Sequence, residues 1–278
     1  DHVREHYVKT VDDEHILQKS ITGWELKPVA YVLGLTNLIL HEMDIPDYHY
    51  MDSLKKEYNS IGKKDQVDVI LANPPFGASI ADGVETNFPA TYRCKESADL
   101  FVILMLQLLK PTGRCAIVLP DGSITGDGIK SRIREKLLTD TNLHTIVRLP
   151  QSTFFPATVS TNLLFFEKGS ATKEIWYYEH KLPEGQKSYS KTKPIQFGEF
   201  APLIDWWNNR EEKCLSDPWR NQVWKVNIED LKDWDLDIKN PSQNTKEIEY
   251  STAETISALK SSFEKSNGIV SELENLLK

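Results

Sequence analysis

The sequence holds 278 residues, 40% of them hydrophobic and 10% aromatic, enough for one large globular domain or a domain with a smaller companion. Its formal net charge of −8 excludes the basic footprint by which a protein grips phosphates unaided, so a nucleic-acid substrate would need a partner to hold it. Cys94, Cys115 and Cys214 match no metal or redox spacing and read as reduced cytoplasmic thiols, while the most apolar run, Leu100 to Leu109, is about half the ~20 residues that a membrane span needs.

In chain order, Asp1 to Val8 reads as a helix. His2 and His6 share one of its faces, but no third ligand accompanies them, so no metal site is expected. From Ile21 to Glu167, short β-favouring runs alternate with helix-length segments, the pattern of an α/β fold with a mostly parallel sheet covered by helices. Strands are expected at Ser20–Glu25, around His49–Met51, and at Val67–Ala72, Arg114–Leu119, Leu143–Leu149 and Asn162–Glu167. Helices are expected at Val29–His41, Ala98–Leu109 and Ile129–Leu138. The helix from Ala98 should stop at Lys110-Pro111-Thr112-Gly113, where proline cannot continue the hydrogen bonding. Lys130, Arg132, Arg134 and Lys136, with acids nearby, read as a solvated helix face.

After Gly169 the composition turns to Trp, Tyr, Lys and Glu, and five of the seven tryptophans fall between Trp206 and Trp234. Residues 171–245 are therefore expected as a small subdomain or an elaborate packing layer, set against a main domain over 1–170. Trp206 and Trp207 read as core or interface residues before base-stacking ones. In the tail, 246–278, Ile256, Leu259, Phe263, Ser266, Val270, Leu273 and Leu277 are spaced three and four apart on one seam of a helix. Gly268 weakens that helix, which either docks on a partner or folds back on its own domain.

The chemistry is carried by Val67-Asp68-Val69-Ile70-Leu71-Ala72-Asn73-Pro74-Pro75-Phe76-Gly77, an apolar strand that ends in Asn-Pro-Pro-Phe. This places Asn73, Pro74, Pro75 and Phe76 at the carboxyl end of a sheet strand, where open α/β sheets bind ligands. The two prolines remove two N–H donors and stiffen the loop, leaving acceptors only. An amine on a heteroaromatic ring is a poor nucleophile because its lone pair is delocalised. Acceptors at the Asn73 side-chain oxygen and the Pro74 carbonyl would take both amine hydrogens and free that lone pair for an electrophilic methyl group. Phe76 offers a flat face on which a base could stack. The structural alternative is a plain Pro-Pro turn.

At these residues the sequence resembles the S-adenosylmethionine-dependent amino-methyltransferases, whose signature is (Asn/Asp/Ser)-Pro-Pro-(Tyr/Phe/Trp). More narrowly it resembles the methylation subunits of type I restriction-modification systems, which modify adenine N6. The segments that carry this narrower match are Ser20–Glu25, Thr36–His41, Asn73–Gly77, Lys110–Gly122, Val147–Pro150, Phe154–Phe155 and Thr161–Phe166. The resemblance implies a Rossmann-like methyltransferase sheet with a C-terminal helical extension. It also implies S-adenosylmethionine as cofactor, bound by Glu25 at the ribose hydroxyls, Asp52 at the adenine, and Asn73. A solvated strand-end acid is the alternative for Glu25, and a turn-initiating Asp-Ser pair for Asp52. Phe155 would pack on the extruded target adenine together with Phe76, with core packing as its rival. Double-stranded DNA, a specificity subunit, a second methylation subunit and a restriction subunit are the implied partners, in the cytoplasm and without a membrane.

The sequence departs from that family in one respect. No glycine-rich loop of the type Asp-Pro-Ala-Cys-Gly-Thr-Gly-Gly-Phe is found, and the strand before it, central to the family's sheet, is not found either. A polypeptide beginning at Asp1 is accordingly expected to bind S-adenosylmethionine weakly and to leave DNA unmethylated. Two rival readings remain: an Asn-Pro-Pro-aromatic methyltransferase acting on RNA or on a protein glutamine, and a non-catalytic assembly subunit.

Overall fold

Short apolar runs and the polar breaks between them set the elements of the structure, a computed structural model that describes residues 1–217 and 219–242 and, in the tail, 256, 259, 260, 262–264, 266 and 267. The chain starts with helices α1 (His2–Tyr7) and α2 (Val11–Ser20). Thr10 caps α2: its hydroxyl accepts from the Asp13 N–H, and the Asp13 carboxylate accepts from the Thr10 N–H. Arg4 grips Glu14 with two nitrogens at 2.8 and 3.1 Å and holds that carboxyl down to about 2.

Strand β1 (Thr22–Glu25), helix α3 (Pro28–Leu40) and strand β2 (Asp47–Tyr50) follow. The two strands pair in parallel, with Glu25 opposite Tyr50. Their packing hinges on Tyr48, whose ring lies where a Cβ on Gly23 or Gly34 would fall and stacks on Tyr31 with centroids 5.3 Å apart. Although α3 is apolar along most of its length, none of its residues is buried, and Val29, Val32, Leu33, Ile39 and Leu40 are exposed.

A second sheet has six strands: β3 (Val67–Ala72), β4 (Leu109–Pro120), β5 (Thr141–Leu149), β6 (Thr161–Lys168), β7 (Glu174–Glu179) and β8 (Val223–Asn227), in the order β3-β4-β6-β5-β7-β8. The β3–β4 and β5–β7 pairs are parallel, and antiparallel β6 is inserted between β4 and β5. Helices α4 (Ser97–Leu108), α5 (Asp121–Ile124), α6 (Ile129–Asp140), α7 (Ala201–Trp207) and α8 (Arg210–Lys213) accompany the sheet. As expected, α4 stops before Lys110-Pro111-Thr112-Gly113. These four residues form a bulge, because Val67 pairs with Leu109 while Val69 already pairs with Arg114. Among the described strands, β1 pairs only with β2 and β3 only with β4, so each leaves one backbone edge without a strand partner.

Side chains alternate across the large sheet. On one face Cys115, Ile117, Leu164, Phe166 and Tyr177 are buried with Leu100, Ile103 and Leu104 of α4 and Ile133 and Leu137 of α6. On the other, Val147, Leu149, Trp176 and Tyr178 are buried with Leu203 and Trp206 of α7. The part of that second face belonging to β3 stays open, and Val69 and Leu71 are 47% and 79% exposed.

Residues 171–245, for which the sequence leaves a subdomain or a packing layer open, supply β7, α7 and β8 to this same sheet, and the boundary between the two units of the chain falls between Asn240 and Pro241. Trp206 is fully buried edge-on to Trp176, and Trp207 packs on Phe165 and His144. The expected solvated face of α6 is corrected at Arg134. Only 3% exposed, it donates to the carbonyls of Thr125, Gly126, Asp233 and Trp234, tying the α5–α6 connection to the 233–234 turn. Lys130 is also engaged, by Asp99 and Glu96 at 2.8 and 2.7 Å. In the second unit, Ile256, Leu259, Phe263 and Ser266 are helical and exposed; Gly268, Val270, Leu273 and Leu277 lie outside the described residues.

Trp206→Ala should lower unfolding free energy by about 3–5 kcal/mol in chemical denaturation, the range for emptying a buried aromatic site. Partial burial and the Arg210 guanidinium 3.5 Å away push His144 from 6.5 down to about 4. The unfolded chain therefore takes up this proton first as pH falls, and stability should decline between pH 6.5 and 4. His144→Leu should flatten that decline in urea midpoints measured at pH 7.5 and 5.

Candidate active site

Strand β3 stays paired with β4 as far as Ala72, opposite Ile117, and the chain then leaves the sheet through Asn73. Pro74 is buried and anchors the corner, whereas Asn73 is exposed. With no N–H on either proline, the loop is held from outside: Ser97, 3% exposed at the start of α4, donates its hydroxyl to the Pro75 carbonyl at 2.9 Å and its N–H to Ala78 at 3.1 Å. Gly77 turns the chain at φ +63°, a conformation that favours glycine. Phe76 is half-buried, edge-on to Phe154 with centroids 5.3 Å apart. Neither the Asn73 carboxamide nor the Pro74 carbonyl is engaged by another described residue. Asn73 lines a depression of 370 Å³ with Leu71, Ala116, Val118, Leu163 and Phe165.

The two acids singled out in the sequence lie at the carboxyl ends of β1 and β2. Glu25 accepts from the Lys27 N–H at 2.6 Å, and Asp52 accepts from the Leu54 N–H at 3.0 Å, so one oxygen of each carboxylate has no described partner. Asp52 lines a depression of 600 Å³ with Leu26, Tyr50, Met51, Lys55 and Lys56; Glu25 sits beside it, next to Leu26. No described contact joins these acids to Asn73.

Phe154 and Phe155 occupy the loop between β5 and β6, which closes on itself through Gln151 Nε2 to the Thr158 carbonyl at 2.9 Å. The ring that meets Phe76 is Phe154, while Phe155 is 55% exposed. Beside this loop, buried Asn162 at the start of β6 donates to Asp121, the first residue of α5, at 2.8 Å. Sequence reasoning overlooked Ser97, Asn162 and Asp121 as parts of the site. The only local signal for Ser97 is a hydroxyl at a helix start, and its partner lies 22 residues upstream.

An α/β sheet with one antiparallel strand inserted among parallel ones, and an Asn-Pro-Pro-Phe corner at a strand's carboxyl end, is the Rossmann-like fold of the methyltransferases. The chain belongs to the N-6 DNA Methylase family, which it matches over residues 2–250. It is 48% identical over 247 residues to the type I restriction enzyme EcoEI methylase subunit of Escherichia coli, a match that covers 87% of this chain and 50% of that protein. Among solved structures it is similar to a modification subunit assigned to a type I restriction enzyme of Vibrio vulnificus YJ016, with TM-score 0.79, 40% identity, 86% of this chain and 51% of that one. It is also similar to a chain from a type I R-M system assembly, with TM-score 0.80, 34% identity, 98% of this chain and 57% of that one. The chain thus spans about half the length of the relatives it matches.

Removing the Ser97 hydroxyl leaves the Pro75 carbonyl without its donor. Ser97→Ala should cost about 1 kcal/mol of stability, read as a lowered Tm in thermal denaturation.

Proposed function

We propose that this chain carries the catalytic corner of a site-specific DNA methyltransferase that moves a methyl group from S-adenosylmethionine to adenine N6, as the methylation subunit of a type I restriction-modification complex. The observation that carries this reading is the pair of unengaged acceptors, the Asn73 carboxamide oxygen and the Pro74 carbonyl, fixed at a strand tip beside an open depression. Two acceptors on a donor-free corner suit an amine with two hydrogens. As they draw those hydrogens, positive charge on the nitrogen is stabilised while its lone pair forms the new N–C bond, and the nitrogen then gives up one proton to solvent water. S-adenosylmethionine supplies the methyl group, whose bond to sulfur breaks as the new one forms.

Glu25 and Asp52 fit that cofactor, since each has a carboxylate oxygen free at the carboxyl end of a parallel strand, able to accept from ribose hydroxyls and from the adenine amine respectively. Phe76, braced by Phe154, and the exposed Phe155 would stack on the target base once it has left the duplex. The acidic net charge fits a division of labour in which a specificity subunit reads the DNA, a second methylation subunit completes the enzyme and a restriction subunit joins it, all in the cytoplasm. The free cysteines suit that compartment.

In the complete assembly, Asn73→Ala should lower methyl transfer about 100-fold or more while complex formation is retained. Undiminished transfer to adenine would remove this reading in favour of an assembly role, and transfer to RNA or to a protein glutamine in place of DNA would redirect it. Phe155→Ala should weaken stacking by about 1–3 kcal/mol, seen as a higher KM for DNA at an unchanged KM for S-adenosylmethionine.

A further inference from the structure

Between β7 and α7 the chain runs through Lys181-Leu182-Pro183-Glu184-Gly185-Gln186-Lys187-Ser188-Tyr189-Ser190-Lys191-Thr192-Lys193, four lysines against one carboxylate in a protein of net charge −8. All four lysines are exposed, and none is within 4.0 Å of a carboxylate among the described residues. Elsewhere lysines commonly hold acids, as Lys56 holds Asp65 and Lys130 holds Asp99. A run of lysines is by default a solvated surface; two further observations set this one apart.

The first is its anchorage. Tyr189, at the middle of the run, is 2% exposed. Its hydroxyl donates to Glu199 at 2.5 Å and lies 2.9 Å from His180 Nε2, and its N–H donates to the Ser152 hydroxyl at 2.8 Å. The flanking chain is turned by Gln186 N–H to Pro183 and by two reciprocal hydrogen bonds between Ser190 and Lys193. Lysine side chains are thus presented on both sides of a fixed point. The second is location. Ser152 belongs to the loop that carries Phe154 and Phe155, three residues before Phe155. Lys187 and Lys191 are each two residues from Tyr189, so at ~3.5 Å of chain per residue both lie within about 20 Å of Phe155, roughly six base pairs of duplex at ~3.4 Å each.

We propose that the 181–193 segment is a DNA-backbone contact of this chain, in which Lys187, Lys191 and Lys193 hold phosphates flanking the target adenine and the Ser152–Tyr189 hydrogen bond sets that grip in register with the base-stacking loop. Phosphate contacts position without reading sequence, which is the part a catalytic subunit needs once another chain reads the site. The inference rests on DNA being the substrate, and its test does not require methyl transfer to be observed.

The test is the salt dependence of duplex binding by the complete assembly between 50 and 200 mM salt, compared for the unaltered protein, for K187A/K191A/K193A, and for K63A/K64A/K173A, which removes the same charge from the opposite, amino-terminal edges of β3 and β7. Every phosphate left without its lysine should reduce the slope of log K against log salt by about 0.9. The first triple variant should therefore bind all sequences more weakly, with a slope shallower by about 3 for each copy of this chain that touches the duplex, and the control should match the unaltered protein. Equal slopes for the two triple variants would overturn the proposal. Methyl transfer measured on the same samples separates this from the proposed function: an assembly that binds DNA without methylating adenine defeats the latter and leaves the slopes to judge the loop.

Discussion

Two successive prolines cannot donate a hydrogen bond, so the Asn73–Phe76 corner has to be held by groups that are not its own. Strand β4 holds the run up to Ala72, buried Pro74 fixes the bend, and the Ser97 hydroxyl takes the Pro75 carbonyl. What remains over is the Asn73 carboxamide and the Pro74 carbonyl, which no other described residue engages and which the proposed function assigns to the amine. Acceptors held in place meet a developing charge with little reorganisation, which is why the stiffness of the proline backbone matters together with its lack of donors. The α4 helix therefore serves twice: its apolar flank fills the core beneath β4, and its first residue ties down the loop.

A second set of tethers lies at the other end of the site. The β5–β6 loop meets the corner through the Phe76–Phe154 contact and meets the 181–193 segment through Ser152 and Tyr189. Behind Tyr189, buried His180 and half-buried Glu199 form a polar group in which the phenol donates to the carboxylate, and Phe200 stacks on the imidazole. Burial holds the His180 imidazole below its ordinary value despite the carboxylate nearby, so it acts as a neutral partner for the hydroxyl. The two aromatic rings and the lysine-bearing segment thus form one mechanically continuous unit.

Much of this was legible in the residues, for identifiable reasons. Val67–Ala72, Leu143–Leu149 and Asn162–Glu167 are aliphatic or β-branched runs bounded by polar breaks, and the strands lie where those runs lie. Asn73 and Phe76 follow the end of β3 because the two prolines mark where that strand stops, whereas Glu25 and Asp52, at the ends of β1 and β2, are singled out through the family resemblance. Strand β7 was harder to see: in Glu174-Ile175-Trp176-Tyr177-Tyr178-Glu179 the four central residues are buried on both faces, so no alternation betrays a strand, and large aromatics suggest a separate layer. Arg134 misled for the converse reason, since its charged neighbours Lys130, Arg132 and Lys136 signal solvent while its own guanidinium meets only carbonyls from segments about 8 and 100 residues away. Ser97 and Ser152 do their work through tertiary contacts that no spacing rule encodes.

The Tyr48 ring occupies volume that Gly23 and Gly34 vacate by having no side chains. These three positions, on two strands and the helix that links them, therefore behave as a single letter of the sequence. Enlarging either glycine pushes the ring aside and costs its stacking on Tyr31, so a change at one of the three positions is felt at the other two.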